Sequence, residues 1–178
     1  MIAAATGCIA ELGYGGATMV RIAGRAGVSW GAMQHQFGEK DAIVDAVIER
    51  RLEDFRARMR GLRAAEPAIE RRIHAFAERA WEDFKGPGFR VVLNVLLQRR
   101  DKALRIAEVM TGLWREIFGD LRLSEERQLA ARRFAFVMLS GIATESAVTP
   151  ALADTRGHFE VLESTLVRML AGSNARPR

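Results

Sequence analysis

Apolar positions recur at helical spacing along most of this chain. Ile22, Ala23 and Ala26 share one face, as do Met33 and Phe37. A longer stripe, Val44, Ile48, Phe55, Met59 and Leu62, predicts a helix over residues 40–63. At ~1.5 Å per residue it is about 35 Å long, enough to link two layers. Glu66-Pro67 is expected to open the next helix, with proline in its first turn and Ile69, Ile73, Phe76, Ala80 and Phe84 on its stripe. Gly86-Pro87-Gly88 is the clearest break in the pattern. Residues 89–98 are nearly all apolar, as in a short buried helix. Residues 102–121 align Ile106, Met110, Leu113, Ile117 and Leu121. Ser124 is placed to cap a long helix running to about Thr149, with Glu125 and Glu126 at its positive end and Thr149-Pro150 stopping it. Residues 155–171 align Phe159, Leu162, Leu166 and Leu170. No useful length of strand-like alternation is present, so the predicted class is all-α.

Residues 21–37 have the layout of a helix-turn-helix. Ala23 and Ala26 are small and let a second helix pack close. Gly27 stands where the first helix must end with positive φ. Val28 plugs the elbow, and Ser29 is a good N-cap for the second helix. That helix starts at Trp30 and buries Met33 and Phe37. Trp30, Gly31, Ala32, Gln34 and His35 remain on or near its outer side. A glycine inside a helix costs roughly 1 kcal/mol against alanine. Gly31 makes sense if the backbone there must approach another surface closely, and a phosphate backbone is such a surface.

The string Thr18-Met19-Val20-Arg21-Ile22-Ala23 through Phe37-Gly38-Glu39-Lys40-Asp41-Ala42-Ile43 resembles the DNA-binding domain of the tetracycline-repressor (TetR) family of bacterial transcription regulators. The resemblance covers roughly residues 2–48, about a quarter of the chain. The remainder matches that family only in length and helical character. The resemblance implies an all-helical protein in two parts. Residues 1–45 would be a three-helix DNA-binding domain, and residues 46–178 a larger bundle for effector binding and dimerisation. It also implies a homodimer on double-stranded operator DNA, released by a small-molecule effector. By position, Thr18 would cap the second helix and touch a phosphate. Ser29, Trp30, Ala32, Gln34 and His35 would face the groove, with Gly31 close to the DNA. Lys40 would grip a phosphate. The chain departs from the family pattern at three places. Gln34 stands where the family often has an aromatic, and its two-sided amide suits adenine. Gln36 replaces a histidine and can still donate a hydrogen bond. Family members usually carry a basic arm before the first helix, whereas this chain begins at Met1-Ile2, already inside it; either the chain is trimmed or it lacks arm contacts.

Composition changes this picture little. The chain has 178 residues, 49% of them hydrophobic, which is ample for a core. The formal net charge is +5, yet residues 1–60 hold eight basic and seven acidic residues, an excess of one. Geometry rather than bulk charge therefore carries the DNA argument, and few phosphate contacts imply a shallow salt dependence. Cys8 stands alone, on an apolar face with Ile9 and Leu12, and reads as a buried structural thiol in a reducing cytoplasm. The uncharged start lacks a basic leader, and Glu11 follows at once. The run from Phe134 to Thr144 is too short to span a bilayer, so no membrane role is expected.

Three further expectations concern the larger part. Phe136, Ser140, Ala143 and Ala147, with Phe159, Leu162 and Leu166, are candidates for a dimer interface, because small residues let helices approach closely. Packing within one subunit is the alternative use of the same faces. Trp81, Phe84, Phe89, Asn94, Met110, Trp114 and Phe118 are candidates to line an effector pocket, with plain core as the alternative. Catalysis finds no support. His35, His74 and His158 fall in different segments, no cluster has metal spacing, and no glycine-rich loop follows a strand. No cofactor or metal is expected and the chain does not read as an enzyme. The other reading of the sequence is an all-helical ligand-binding or protein-interaction dimer with weak or lost DNA binding.

Overall fold

The computed structural model describes residues 1–149 and 155–171. The described residues form helices and no strand: α1 (Ile2–Gly16), α2 (Met19–Ala26), α3 (Trp30–Phe37), α4 (Lys40–Met59), α5 (Leu62–Ala65), α6 (Ile69–Phe84), α7 (Pro87–Gln98), α8 (Lys102–Phe118), α9 (Glu125–Val148) and α10 (Thr155–Ala171). They group into two compact units. One comprises Met1–Ala57 with Gly86–Val109, the other Arg58–Lys85 with Met110–Arg178.

In the first unit α1 packs on α2 and, most extensively, on α7, while α2 packs on α3. Its core contains Ala5, Cys8, Ile9, Ile22, Met33, Ile43, Val44, Val47, Val91 and Val95. Cys8 is the buried thiol expected. Leu12 is not on that buried face. Gly13 adopts φ 70° and ψ 174°, a conformation that interrupts the helix, and Leu12 next to it is left exposed. The stretch 89–98 is only half-buried: Val91 and Val95 point inward, while Leu97 and Gln98 are exposed.

In the second unit α10 packs on α9 and α6, and α6 on α9. Phe76 sits at the centre of an aromatic cluster. Its ring meets Trp114, Phe118 and Phe136 edge-on, with centroids 5.7, 5.6 and 6.2 Å away. Such edge-to-face contacts align the positive ring edge with a neighbour's negative face.

The expected helix boundaries shift at three places. The helix from Lys40 ends at Met59, because Gly61 turns left-handed at φ 73° and starts the short α5. Pro67 lies outside α6, which begins after Ala68; the proline that does open a helix is Pro87, with Gly86 as the N-cap of α7. The Gly86-Pro87-Gly88 break is thus a helix start. The helix expected to reach residue 121 ends at Phe118. Ser124 caps α9 as expected, its hydroxyl accepting from the Arg127 amide at 3.3 Å. Pro150, expected to stop that helix, lies outside the described residues.

Candidate nucleic-acid interface

The helix-turn-helix is built from local capping bonds. Thr18 starts α2, its hydroxyl accepting from the Arg21 amide at 3.3 Å. Gly27 ends it in the left-handed conformation, φ 67° and ψ 28°. The Val28 amide donates to the Ala23 carbonyl at 3.1 Å and the Gly27 amide to the Gly24 carbonyl at 3.2 Å. This pair of bonds is the Schellman arrangement, which satisfies carbonyls that a helix end otherwise leaves open. Ser29 then caps α3, accepting from the Ala32 amide at 3.1 Å. Gly38, at φ 67°, ends α3, and α4 begins at Lys40.

These caps fix which side of α3 meets solvent. Met33 is fully buried and Phe37 half-buried. Ser29, Trp30, Gly31, Ala32, Gln34, His35 and Gln36 are all exposed, as is Thr18. A Cβ added at Gly31 would meet only the Ser29 hydroxyl, 4.0 Å away, so the packing of the chain does not require glycine there.

The cations of the helix-turn-helix already have partners within the chain. Arg25 donates to both carboxylate oxygens of Glu11 at 2.7 Å, and this pairing holds the Glu11 carboxyl below the usual carboxylate range. Arg21 donates to the Gly16 carbonyl at 2.9 Å. Lys40 donates to the Tyr14 carbonyl, with its ammonium 4.0 Å from the centroid of the Tyr14 ring. Partial burial pushes the Lys40 pKa down. Lys40 is therefore half-buried on Tyr14 rather than extended into solvent.

A charged ladder that the sequence did not suggest braces the same unit. The acidic edge of α4, Asp41, Asp45 and Glu49, faces Arg99, Lys102 and Arg105 in order. Tyr14 joins the first rung, donating its hydroxyl to Asp41 at 2.9 Å. Lys102 lies 2.6 Å from Asp45, and Arg105 grips Glu49 at 2.9 and 3.3 Å. The partners are more than fifty residues apart in sequence, so no local spacing announces them.

The residues expected to line an effector pocket are not brought together in one unit. Phe89 and Asn94 belong to the first unit, and Trp81, Phe84, Met110, Trp114 and Phe118 to the second. Trp114 and Phe118 are core residues, 3% and 0% exposed, packed around Phe76. The Trp114 indole donates to Gln128 at 2.8 Å, a polar partner not anticipated from the sequence. Trp81 meets Phe159 edge-on at 5.4 Å, and Phe84 stacks on Phe136 at 6.2 Å. Phe136 and Phe159, expected at a dimer interface, are thus engaged by rings of their own chain. Leu162 and Leu166 are fully buried and Ala143 is nearly so, so a partner chain has no access to them. They face inward because α10 packs on both α6 and α9. Ser140 donates to the Phe136 carbonyl at 2.7 Å, and Ala147 is exposed. The exposed apolar residues of these helices are instead Leu129, Val137 and Val148 on α9 and Val161 on α10. Among the described residues no group of three or more His, Cys, Asp or Glu is arranged to hold a metal ion, and no helix is long and apolar enough to cross a membrane.

Comparison with known proteins bears on this head and on the fold. Residues 1–47 match the profile of the bacterial regulatory proteins of the tetR family. The HTH-type transcriptional regulator CymR of Pseudomonas putida is 34% identical over 106 residues, covering 59% of this chain and 52% of that protein. The chain thus spans about half the length of that relative. Two solved structures share the fold. A transcriptional regulator from Rhodococcus sp. Rha1 superposes with a TM-score of 0.77 at 19% identity, over 99% of this chain and 97% of the other. A TetR-family transcriptional regulator from Streptomyces coelicolor gives 0.68 at 20% identity, over 95% and 93%. Residues 1–47 are thus similar to the helix-turn-helix of the tetR family of bacterial regulatory proteins, and the chain as a whole shares the all-helical fold of these solved regulators.

Proposed function

We propose that this chain is a DNA-binding transcriptional regulator acting as a repressor. In this reading it binds operator DNA as a homodimer and leaves it when a small molecule binds. The exposed outer face of α3, held between the Ser29 cap and the Gly38 turn, is the observation that carries the proposal. A helix presented in this way on a helix-turn-helix enters the major groove with its first residues at the base edges. Residues 1–45 supply the DNA contacts, and residues 46–178 the effector site and the dimer. Thr18 and Lys40 serve phosphates, while Ser29, Trp30, Gly31, Ala32, Gln34 and His35 lie in the groove. Lys40 must leave the Tyr14 carbonyl to reach a phosphate, a local rearrangement this reading requires. The effector would shift the separation of the two reading heads, through a coupling of typically ~1–3 kcal/mol. The function is regulatory, with no turnover of a substrate, and the site of action is the cytoplasm.

Gel-shift titration against the promoter beside its own gene tests this reading. Lys40→Ala is expected to weaken binding to all sequences alike, and Gln34→Ala to lower the preference at one base pair. A wild-type chain that binds promoter DNA no better than unrelated duplex at moderate salt would sink the proposal. That outcome favours the second reading, a helical ligand-binding or protein-interaction dimer. The internal pairing of Arg21, Arg25 and Lys40 is the observation on its side.

A further inference from the structure

We propose that Trp30 reads the 5-methyl group of a pyrimidine in the major groove. The inference rests on the DNA-binding reading above and adds the chemistry of one contact. Trp30 is the first residue of α3 and is 48% exposed, the largest apolar side chain on the outer face of that helix. Among the described residues no other ring packs on it. An indole carries one of the largest apolar surfaces of any side chain, and leaving half of it in water forgoes the gain from burial. The surroundings are low: Gly31 has no side chain, Ala32 is a single methyl, and a Cβ added at Gly31 would meet only the Ser29 hydroxyl, 4.0 Å away. Nothing on the helix therefore holds the indole away from the groove floor.

Charge narrows the target further. The outer face of α3 has no Arg or Lys, and the nearby cations Arg25 and Lys40 are paired with Glu11 and Tyr14. The commonest specific contact, a cation donating to guanine O6 and N7, has no donor on this helix. What α3 offers is the amides of Gln34 and Gln36, the imidazole of His35, and apolar surface at Trp30 and Ala32. In the major groove the apolar feature that distinguishes bases is the pyrimidine 5-methyl, present on thymine and on 5-methylcytosine.

The test starts from random duplex pools, one with ordinary cytosine and one with 5-methylcytosine, from which the full chain selects its sites. Failure of both pools to enrich any sequence would overturn the DNA-binding reading itself, and this inference with it. Given an enriched site, each thymine is replaced in turn by deoxyuridine, which keeps the hydrogen-bonding edge and removes only the methyl. Each 5-methylcytosine is replaced by cytosine. At one position per half-site, loss of the methyl is expected to weaken binding about fourfold, the worth of one buried carbon. A thymine position or a 5-methylcytosine position showing that loss identifies which pyrimidine supplies the methyl. Trp30→Ala is expected to bind methylated and unmethylated sites equally, and Trp30→Leu to keep part of the preference. Enriched sites that tolerate loss of every methyl, or a methyl preference that survives Trp30→Ala, would overturn the inference while leaving DNA binding intact.

Discussion

Arg72 on α6 donates through one guanidinium nitrogen to both carboxylate oxygens of Asp120, at 2.7 and 2.9 Å. The same guanidinium donates to the carbonyls of Glu66, Pro67 and Ile117. It therefore closes the link before α6 and caps the end of α8 together. Arg72 is buried and Asp120 is partly exposed, so the two halves of the pair are not equivalent. Arg72→Ala strips the hydrogen bonds from a set of carbonyls and leaves a carboxylate without its cation. A loss of roughly 3–5 kcal/mol is expected. Asp120→Asn keeps an acceptor in place but leaves the buried guanidinium without its counter-charge, and should cost about 1–3 kcal/mol, less than Arg72→Ala. Urea unfolding of both variants separates the two roles.

The ladder of Asp41, Asp45 and Glu49 against Arg99, Lys102 and Arg105 predicts a salt effect on the first unit. Each rung is partly exposed and contributes at most about 1 kcal/mol on its own. Asp45→Asn should lower stability measurably at low salt. The difference should vanish near 1 M salt, where screening acts within about 3 Å. Thermal melts across a salt series read this directly.

Protonation acts on the two units in opposite directions. In the first, the Tyr14 hydroxyl and then Arg99 hold the Asp41 carboxyl below its usual range, and Arg105 does the same for Glu49. A depressed folded pKa gives stability that is present above the unfolded value, about 4, and lost as pH falls through the folded value. In the second, Glu163, bonded to His74 at 2.9 Å, raises the imidazole pKa. A raised folded pKa gives stability that is fully present below the unfolded value, about 6.5, and lost as pH rises through the folded one. Stability of the wild-type chain should thus decline on both the acid and the neutral side. His74→Gln should flatten the neutral limb and leave the acid limb unchanged in a series of melts from acid to neutral pH.

Two neighbouring glycines should answer alanine with opposite signs. Gly27 holds φ 67°, and no atom lies within 4 Å of an added Cβ, so the cost of Gly27→Ala is purely conformational. A loss of about 1 kcal/mol is expected. Gly24 sits inside α2 with equally open surroundings and no positive φ. Gly24→Ala should stabilise by up to about 1 kcal/mol. Circular dichroism melts of the two variants test whether the turn, rather than side-chain space, demands glycine at residue 27.

The contrast also shows what the sequence made legible. Caps and turns are local, so Gly27, Ser29 and Ser124 could be read from their immediate neighbours, and so could the buried stripe of Val44, Ile48 and Phe55. The end of the helix from Lys40 at Met59 was not legible, because the left-handed Gly61 that causes it leaves no mark on the apolar periodicity. Pairings across the fold were illegible for a different reason. Asp41 meets Arg99, and Arg72 meets Asp120, only because distant helices come together. The same holds for the aromatic residues. Trp114 and Phe118 read from the sequence as pocket lining or as plain core, and only packing shows that Phe76 closes against both.

The homodimer proposed above offers the sharpest separation of surface from core. Val137, Gly141, Thr144 and Val148 are exposed on α9 at spacings of four, three and four residues, which keeps them on one side of the helix. Val137 is 70% and Val148 73% exposed, and Val161 on α10 is 53% exposed. With Leu129 and Ala147, these are exposed apolar groups of α9 and α10 open to a second copy, whereas Leu162 and Leu166 are inside. Val137→Glu adds a charge that must be desolvated if a partner covers it. The variant is expected to keep its melting temperature as a dilute monomer and, if two copies pair through this face, to sediment as a monomer at concentrations where the wild-type chain self-associates. Leu162→Ala should do the reverse. It opens a cavity costing about 2–5 kcal/mol and lowers the melt of a single chain, while the exposed valines remain intact. A Val137→Glu chain that sediments like the wild type would remove α9 from the interface.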